Sequence, residues 1–203
     1  LKRVFDYIEF KKRPGSFKHL LVSPFNMRKK MNAFIENEIN NAREGKEAYI
    51  IVKVNHIVDS DIIKKLYDAS QAGVKIQMVV RTTCSIVPGI PGMSENITAV
   101  SIIDKLLEHS RMYVFCNNGK PKYYLSSADL MTRNLDHRVE IAFPIYNPTL
   151  QDELNEILNT QLKDNVKARI LNENQDNKYK RSTGGLKIRS QLDVYNFLKG
   201  HHN

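Results

Sequence analysis

The 203-residue chain is long enough to bury the core of one domain, and 41% hydrophobic against 26% charged residues is a globular composition rather than a disordered one. No run approaches the ~20 apolar residues of a membrane helix, and Cys84 and Cys116 form no CxxC pair, which argues against a metal or redox centre and suits a reducing cytoplasm. A net charge of +9 directs attention to a polyanionic partner such as nucleic acid, polyphosphate or an anionic membrane surface.

The opening residues, Leu1-Lys2-Arg3, carry neither an initiator methionine nor a signal peptide, so the chain reads as a fragment of something longer. Leu1, Val4, Phe5 and Ile8 have helical spacing and read as the end of a preceding helix, followed by the basic linker Lys11-Lys12-Arg13-Pro14-Gly15. Residues 19–22 predict a short strand. Behind the turn Ser23-Pro24-Phe25-Asn26 comes a helical stripe of Met27, Met31, Phe34, Ile35, Ile39 and Ala42, capped by Asn26 or Ser23 and closed at Gly45. Free N–H groups at that helix start could hold a phosphate, though no Gly-rich loop precedes it. Arg28, Lys29 and Lys30 crowd the positive end of the helix dipole and call for a nearby anion.

Residues 48–54 and 74–80 are nearly continuous apolar runs, as buried parallel strands are. Between them Ser60 is expected to cap a helix carrying Ile62, Ile63, Leu66, Tyr67 and Ala69 and stopped by Gly73. This β-α-β-α-β pattern predicts an α/β fold: a mixed, mostly parallel sheet with helices on both faces. Ligands of open α/β sheets collect at the carboxyl ends of strands, which makes Lys53, Asn55 and Arg81 candidate phosphate ligands. Residues 82–96, rich in Gly and Pro, form a loop long enough to suggest function or motion.

A strand over 99–103 leads into a central β-hairpin. Residues 111–115 alternate, putting His109, Arg111, Tyr113 and Phe115 on one face, and Asn117-Asn118-Gly119 supplies the turn to a strand over 122–125. If Cys116 faces Lys122, Arg111 lies opposite Ser127 and His109 near Asp129. An imidazole, a guanidinium, hydroxyls and a carboxylate then meet at one hairpin end, a grouping suited to a phosphate-like substrate. A slip of one residue would reverse the faces. Residues 139–143 form the next strand, with Glu140 near its start. Asn147 and Pro148 open a helix with Leu150, Leu154, Ile157 and Leu158, and 166–171 form a last strand. Lys178, Lys180, Arg181, Lys187 and Arg189 then surround Gly184-Gly185, and Ser190 begins a closing helix that ends near His201-His202. The expected division is 1–15 as helix end and linker, 16–171 as the domain, and 172–203 as basic segment and closing helix.

Several blocks in order resemble one family: Leu20-Leu21-Val22-Ser23-Pro24, Lys53-Val54-Asn55, residues 67–74, Ser94-Glu95-Asn96-Ile97, Leu107-Glu108-His109-Ser110-Arg111, Ser126-Ser127-Ala128-Asp129-Leu130-Met131-Thr132-Arg133-Asn134 and Arg138-Val139-Glu140. They look like the C-terminal part of the long-chain polyphosphate kinases, and the resemblance covers essentially the whole chain. It implies a phospholipase D-like fold and reversible transfer of the terminal phosphate of ATP to polyphosphate, through a phosphohistidine and with Mg²⁺. His109-Ser110-Arg111 stands where the fold's HxK-like motif is expected, with Arg in place of Lys. That change keeps the charge and adds bidentate donors.

The resemblance matches His109 to the family's second important histidine and Arg81 to an arginine at the nucleotide phosphates; Glu140 falls where a carboxylate follows the hairpin. The phosphate-accepting histidine and the Mg²⁺ ligands belong to a preceding domain, so this chain is expected to contribute no metal ligand and half of an active site, inactive alone. His109 is the expected general acid/base or γ-phosphate ligand, with Asp129 or Glu140 orienting it. Arg81, Arg111, Lys53, Asn55, Ser126, Ser127, Arg133 and Asn134 are the expected phosphate-binding set. Expected partners are ATP or ADP, polyphosphate, the preceding domain and, in the complete enzyme, further copies. The expected setting is the cytoplasm, with peripheral membrane contact as a variant. Two other readings fit the residues: a phospholipase D-like phosphodiesterase, and a non-catalytic basic module for nucleic acid, which lacks aromatic residues interleaved with its basic run.

Overall fold

The computed structural model describes residues 1–181 and 185–201. Gly184 of the basic segment and His202 of the end lie outside the described residues.

Helix α1 (Lys2–Phe10) buries Val4 and leaves Phe5, Ile8 and Phe10 exposed. Strand β1 (Leu21–Ser23) follows, then helix α2 (Met27–Arg43), whose Met31, Ile35 and Ile39 are buried at helical spacing. Asn26 holds the N-cap position, but its side chain turns back: its Oδ1 accepts from the Val22 N–H at 2.6 Å and its amide donates to the Leu20 carbonyl at 3.2 Å. Strand β2 (Tyr49–Ile57) runs past Val54 to include Asn55 and His56. Helix α3 (Ser60–Gln71) is capped by Asp59, whose carboxylate accepts from the Ile62 N–H, so the cap lies one residue before the expected Ser60. Gly73, at φ +95°, reverses the chain into strand β3 (Lys75–Cys84), which passes through Arg81 instead of stopping there.

The loop over 85–96 is stitched to the body: Ser94 donates to the Val87 carbonyl at 2.6 Å, and the Val87 N–H donates to the Tyr67 hydroxyl at 2.9 Å. Strands β4 (Ile97–Ile102), β5 (Arg111–Phe115), β6 (Lys122–Ser126) and β7 (Glu140–Ile145) follow. Asn117, Asn118 and Gly119 all have positive φ, which the two asparagines tolerate and the glycine favours in the β5–β6 turn. Helix α4 (Pro148–Lys163) starts with the Asn147 carboxamide accepting from the Thr149 and Leu150 N–H groups, as expected. Strand β8 (Ala168–Leu171) and helix α5 (Ser190–His201) complete the chain.

Among the described residues eight strands form one sheet in the order β1-β7-β6-β5-β2-β3-β4-β8. Of the expected β-α-β-α-β run, β2-α3-β3 forms a parallel unit, while β1 is parted from β2 by β7, β6 and β5; β4 adds parallel to β3 through the loop over 85–96. The remaining neighbours pair antiparallel, which corrects the expectation of a mostly parallel sheet. Tight connections such as the β5–β6 turn can join only antiparallel neighbours; the parallel pairs β2/β3 and β3/β4 are joined by the longer crossovers through α3 and through the loop over 85–96.

Helices α2 and α3 cover one face, packing on Ile50, Val52, Met78, Tyr113 and Phe115; α4 covers the other, where Leu158 meets Ile51, Met112 and Val114. Arg111, Tyr113 and Phe115 do share a face. The pairing is Phe115 with Lys122 and Arg111 with Ser126, one residue from the expected register. His109 precedes the strand, in the loop before β5.

A charge cluster locks α2 to α3. Arg28 grips Asp59 through both terminal nitrogens, at 2.8 and 2.6 Å, and reaches both oxygens of Asp136 at 2.6 Å; Thr132 also donates to Asp59 at 2.8 Å. The anion called for at the start of α2 is therefore a pair of carboxylates, and these contacts raise the Arg28 pKa. Burial tends to raise the Asp59 carboxyl, but bonds from Arg28, Thr132 and the Ile62 N–H outweigh it and hold it at about 2, below its ordinary 3.8. A depressed carboxyl contributes its stability in full above the ordinary value and loses it as pH falls through about 2. Arg28→Ala leaves Asp59 buried without its cation, at a cost of about 3–5 kcal/mol. Acid unfolding followed by circular dichroism should then begin at a higher pH than in the parent; an unmoved midpoint would contradict this role.

Candidate functional site

Strands β2 and β3 end, and β5 begins, at one edge of the sheet. Arg111 is there because it opens β5, two residues beyond His109 and paired with the end of β6. Asp129 comes to the same edge because the chain leaving β6 lies beside β2, with the Leu130 N–H bonded to the His56 carbonyl at 3.1 Å.

A continuous chain of contacts results. Arg81 Nε donates to Asn55 Oδ1 at 2.7 Å. The Asn55 amide nitrogen donates to Asp129 Oδ1 at 3.2 Å, and the Asn55 backbone N–H to the same oxygen at 2.7 Å. Arg111 grips Asp129 with Nε at 3.2 Å and Nη2 at 2.9 Å. The Arg111 guanidinium also lies against His109, donating from Nη1 to the His109 carbonyl at 2.8 Å with both ring nitrogens 3.3 Å from its terminal nitrogens. A neutral imidazole has one acceptor nitrogen, so at most one of those two ring contacts is a hydrogen bond. Burial tends to raise the Asp129 carboxyl, but Arg111 and the N–H groups of Asn55 and His56 outweigh it and lower its pKa. Asn55 and Asp129 are buried, Arg81 and Arg111 half-buried, and His109 exposed. The cluster thus presents two guanidinium groups and an accessible imidazole, with the carboxylate behind them.

Asp129 meets Arg111 and not His109, because the Arg111 side chain fills the space between them. Glu140 does not face His109 either. Its carboxylate accepts from Ser127 Oγ and from the Asn134 amide, the latter at 2.6 Å, in a separate buried nest at the start of β7. The expected orienting role therefore falls to Arg111. Ser126 is used internally, its Oγ accepting from the Ala128 N–H at 3.0 Å. Asn134 is buried and Arg133 exposed on the π-helical turn Arg133–His137, an element with no periodic signature.

Lys53 departs furthest from the expectation of an open phosphate ligand. It is 5% exposed, with its ammonium bonded to Glu108 and, at 2.9 Å, to Gln161 of α4. Burial lowers its pKa, against the opposing pull of Glu108. A nearly continuous apolar run gives no sign of this, since the helix side chain that receives Lys53 lies 108 residues away.

A family model described as polyphosphate kinase C-terminal domain 2 matches residues 20–191. The chain belongs to that family. A polyphosphate kinase of Vibrio parahaemolyticus is 47% identical over 199 residues, covering 98% of this chain and 29% of that relative. The chain thus spans less than a third of the length of the curated relative it matches. The crystal structure of polyphosphate kinase from Porphyromonas gingivalis superposes with a TM-score of 0.94 at 40% identity, covering 98% of this chain and 31% of that one. A phospholipase D family member from Salmonella typhimurium superposes with a TM-score of 0.54 at 16% identity, covering 75% of this chain and 96% of that one. The domain is therefore a polyphosphate kinase C-terminal domain with a phospholipase D-like fold. Among the described residues no helix is long and apolar enough to cross a membrane.

Proposed function

We propose that this domain supplies the C-terminal side of a polyphosphate kinase active site, in which the terminal phosphate of ATP passes reversibly to polyphosphate through a phosphohistidine on a preceding domain. The observation that carries the reading is the unbroken run Arg81–Asn55–Asp129–Arg111–His109, ending in an exposed imidazole. Phosphoryl transfer asks the protein chiefly for positioned charge. Arg81 and Arg111 neutralise phosphate oxygens, while Asn55 and Asp129 hold both guanidinium groups in place. His109 gives or takes a proton at the phosphate oxygen, or grips the terminal phosphate.

Exposed Ile103, Leu106 and Leu107 in the loop that carries His109, and exposed Phe5 and Ile8 on α1, support contact with the preceding domain. The residues present do not suit Mg²⁺. Among the described residues no three His, Cys, Asp or Glu side chains gather as a metal site, and Asp129 and Glu140 are both engaged within the protein. In this reading the metal's ligands belong to the preceding domain, and the chain alone makes no polymer.

Titration with inorganic tripolyphosphate, followed by NMR, tests the placement. The expected shifts fall on His109, Arg111 and Arg81. Shifts confined to residues 178–189, with His109 unmoved, would replace this reading with that of a basic surface that binds polyanions non-specifically.

A further inference from the structure

We infer that Gln191, at the start of α5, and the polar seat of Glu108 are positioning elements for His109, which makes the C-terminal helix part of the active-site apparatus. The inference rests on the role proposed for His109. The loop between β4 and β5 has no apolar anchorage at its tip: Ile103, Leu106 and Leu107 are 72%, 58% and 77% exposed. Polar contacts hold it instead. The Gln191 carboxamide closes a two-way clasp on Leu106, accepting from its N–H at 2.7 Å and donating to its carbonyl at 2.7 Å. The same amide nitrogen reaches Glu108 Oε1 at 3.1 Å. The other oxygen of Glu108 accepts from Lys53 of β2 and from the Gln161 amide of α4.

Lys53, Gln161 and Gln191 are 5%, 3% and 7% exposed, so three buried donors from three elements converge on one carboxylate. Its neighbour in sequence is the exposed His109. At the start of the loop Arg189 holds both oxygens of Asp104, at 2.7 and 2.8 Å. The start of α5 is itself fixed, because Asp164 accepts from both the N–H and the hydroxyl of Ser190 at 2.7 Å. A half-buried carboxylate met by a buried ammonium and two buried amides is far more rigid than an exposed loop of leucines, and rigid support is what sub-ångström placement of a reacting group requires. Lys53 thus acts through Glu108 and does not touch the phosphate.

The test is Gln191→Met, which keeps the length of the side chain and removes its hydrogen bonds. In the 203-residue protein, hydrogen exchange at the Leu106 amide should quicken about tenfold or more, while amides of β2 and β5 keep their protection. In a full-length polyphosphate kinase carrying this chain, kcat should fall about 10–100-fold, with KM for ATP little changed. Added to His109→Ala, the same substitution should cost nothing further. Unchanged exchange at Leu106, loss of protection throughout the sheet, or an equal fall in kcat on the His109→Ala background would each overturn the inference. Failure of the underlying reading looks different: His109→Ala would keep its turnover, and the exchange result would still decide whether the clasp holds the loop.

Discussion

His109→Ala, in a full-length polyphosphate kinase carrying this chain, should lower turnover about 10²–10⁴-fold, the usual worth of a positioned acid or base. The fold should survive, because the ring is exposed and packs on nothing but the Arg111 guanidinium among its described polar contacts. The variant's melting temperature should therefore stay close to that of the parent. His109→Gln, which keeps a hydrogen-bonding group but cannot shuttle a proton near neutral pH, separates two roles. If His109 is a proton carrier, both variants fall alike; if it only grips phosphate, glutamine recovers much of the rate. Turnover unaffected by either change would remove His109 from the chemistry.

Asp129→Ala should be the most damaging substitution at the site for stability. Arg111 and Asp129 are 12% and 5% exposed at their side chains, so deleting the carboxylate strands a nearly buried guanidinium and the N–H of Asn55. Removing one partner of a buried pair costs about 3–5 kcal/mol, a large part of the roughly 5–15 kcal/mol that holds a domain together. Asp129→Asn should recover part of this, because a neutral carboxamide still accepts from Asn55. It should also release Arg111 from its bidentate grip and lower turnover even where the protein remains folded. Because the pair depresses the Asp129 carboxyl, its stabilising effect is complete above the ordinary carboxylate range and fades as pH falls through the lowered value. Urea unfolding of the parent and both variants at neutral pH would measure the loss; a cost under about 1 kcal/mol for alanine, the level of an exposed pair, would contradict the buried-pair account.

The elements with strong local chemistry were legible before any tertiary information. Asn147-Pro148 starts a helix because the side chain caps it and proline suits its first turn; Asn117-Asn118-Gly119 turns the chain because those residues accept positive φ. The alternation of Arg111, Tyr113 and Phe115 read correctly because a strand sends successive side chains to opposite faces, even where, as here, both faces are covered. The register did not, since two strands of mixed composition leave a one-residue slip undecided. The π-helical turn at Arg133–His137 and the extension of β3 through Arg81 escaped for a similar reason. Both depend on which neighbour the backbone finds, and neither carries a pattern of its own.

The order of residues along this chain determined which chemistry is present: the histidine, the arginines and the carboxylates of the proposed phosphate site, of which Arg111 and Glu140 begin strands. Only the assembled sheet decided the partners. It set Asn55 between Arg81 and Asp129, put Arg111 between Asp129 and His109, drew Lys53 inward to Glu108, and brought Gln191 back across 85 residues to hold Leu106. Periodicity reports which face a side chain takes, because that is a property of one segment. The group it meets there depends on strand order and register, which arise from the packing of all segments together.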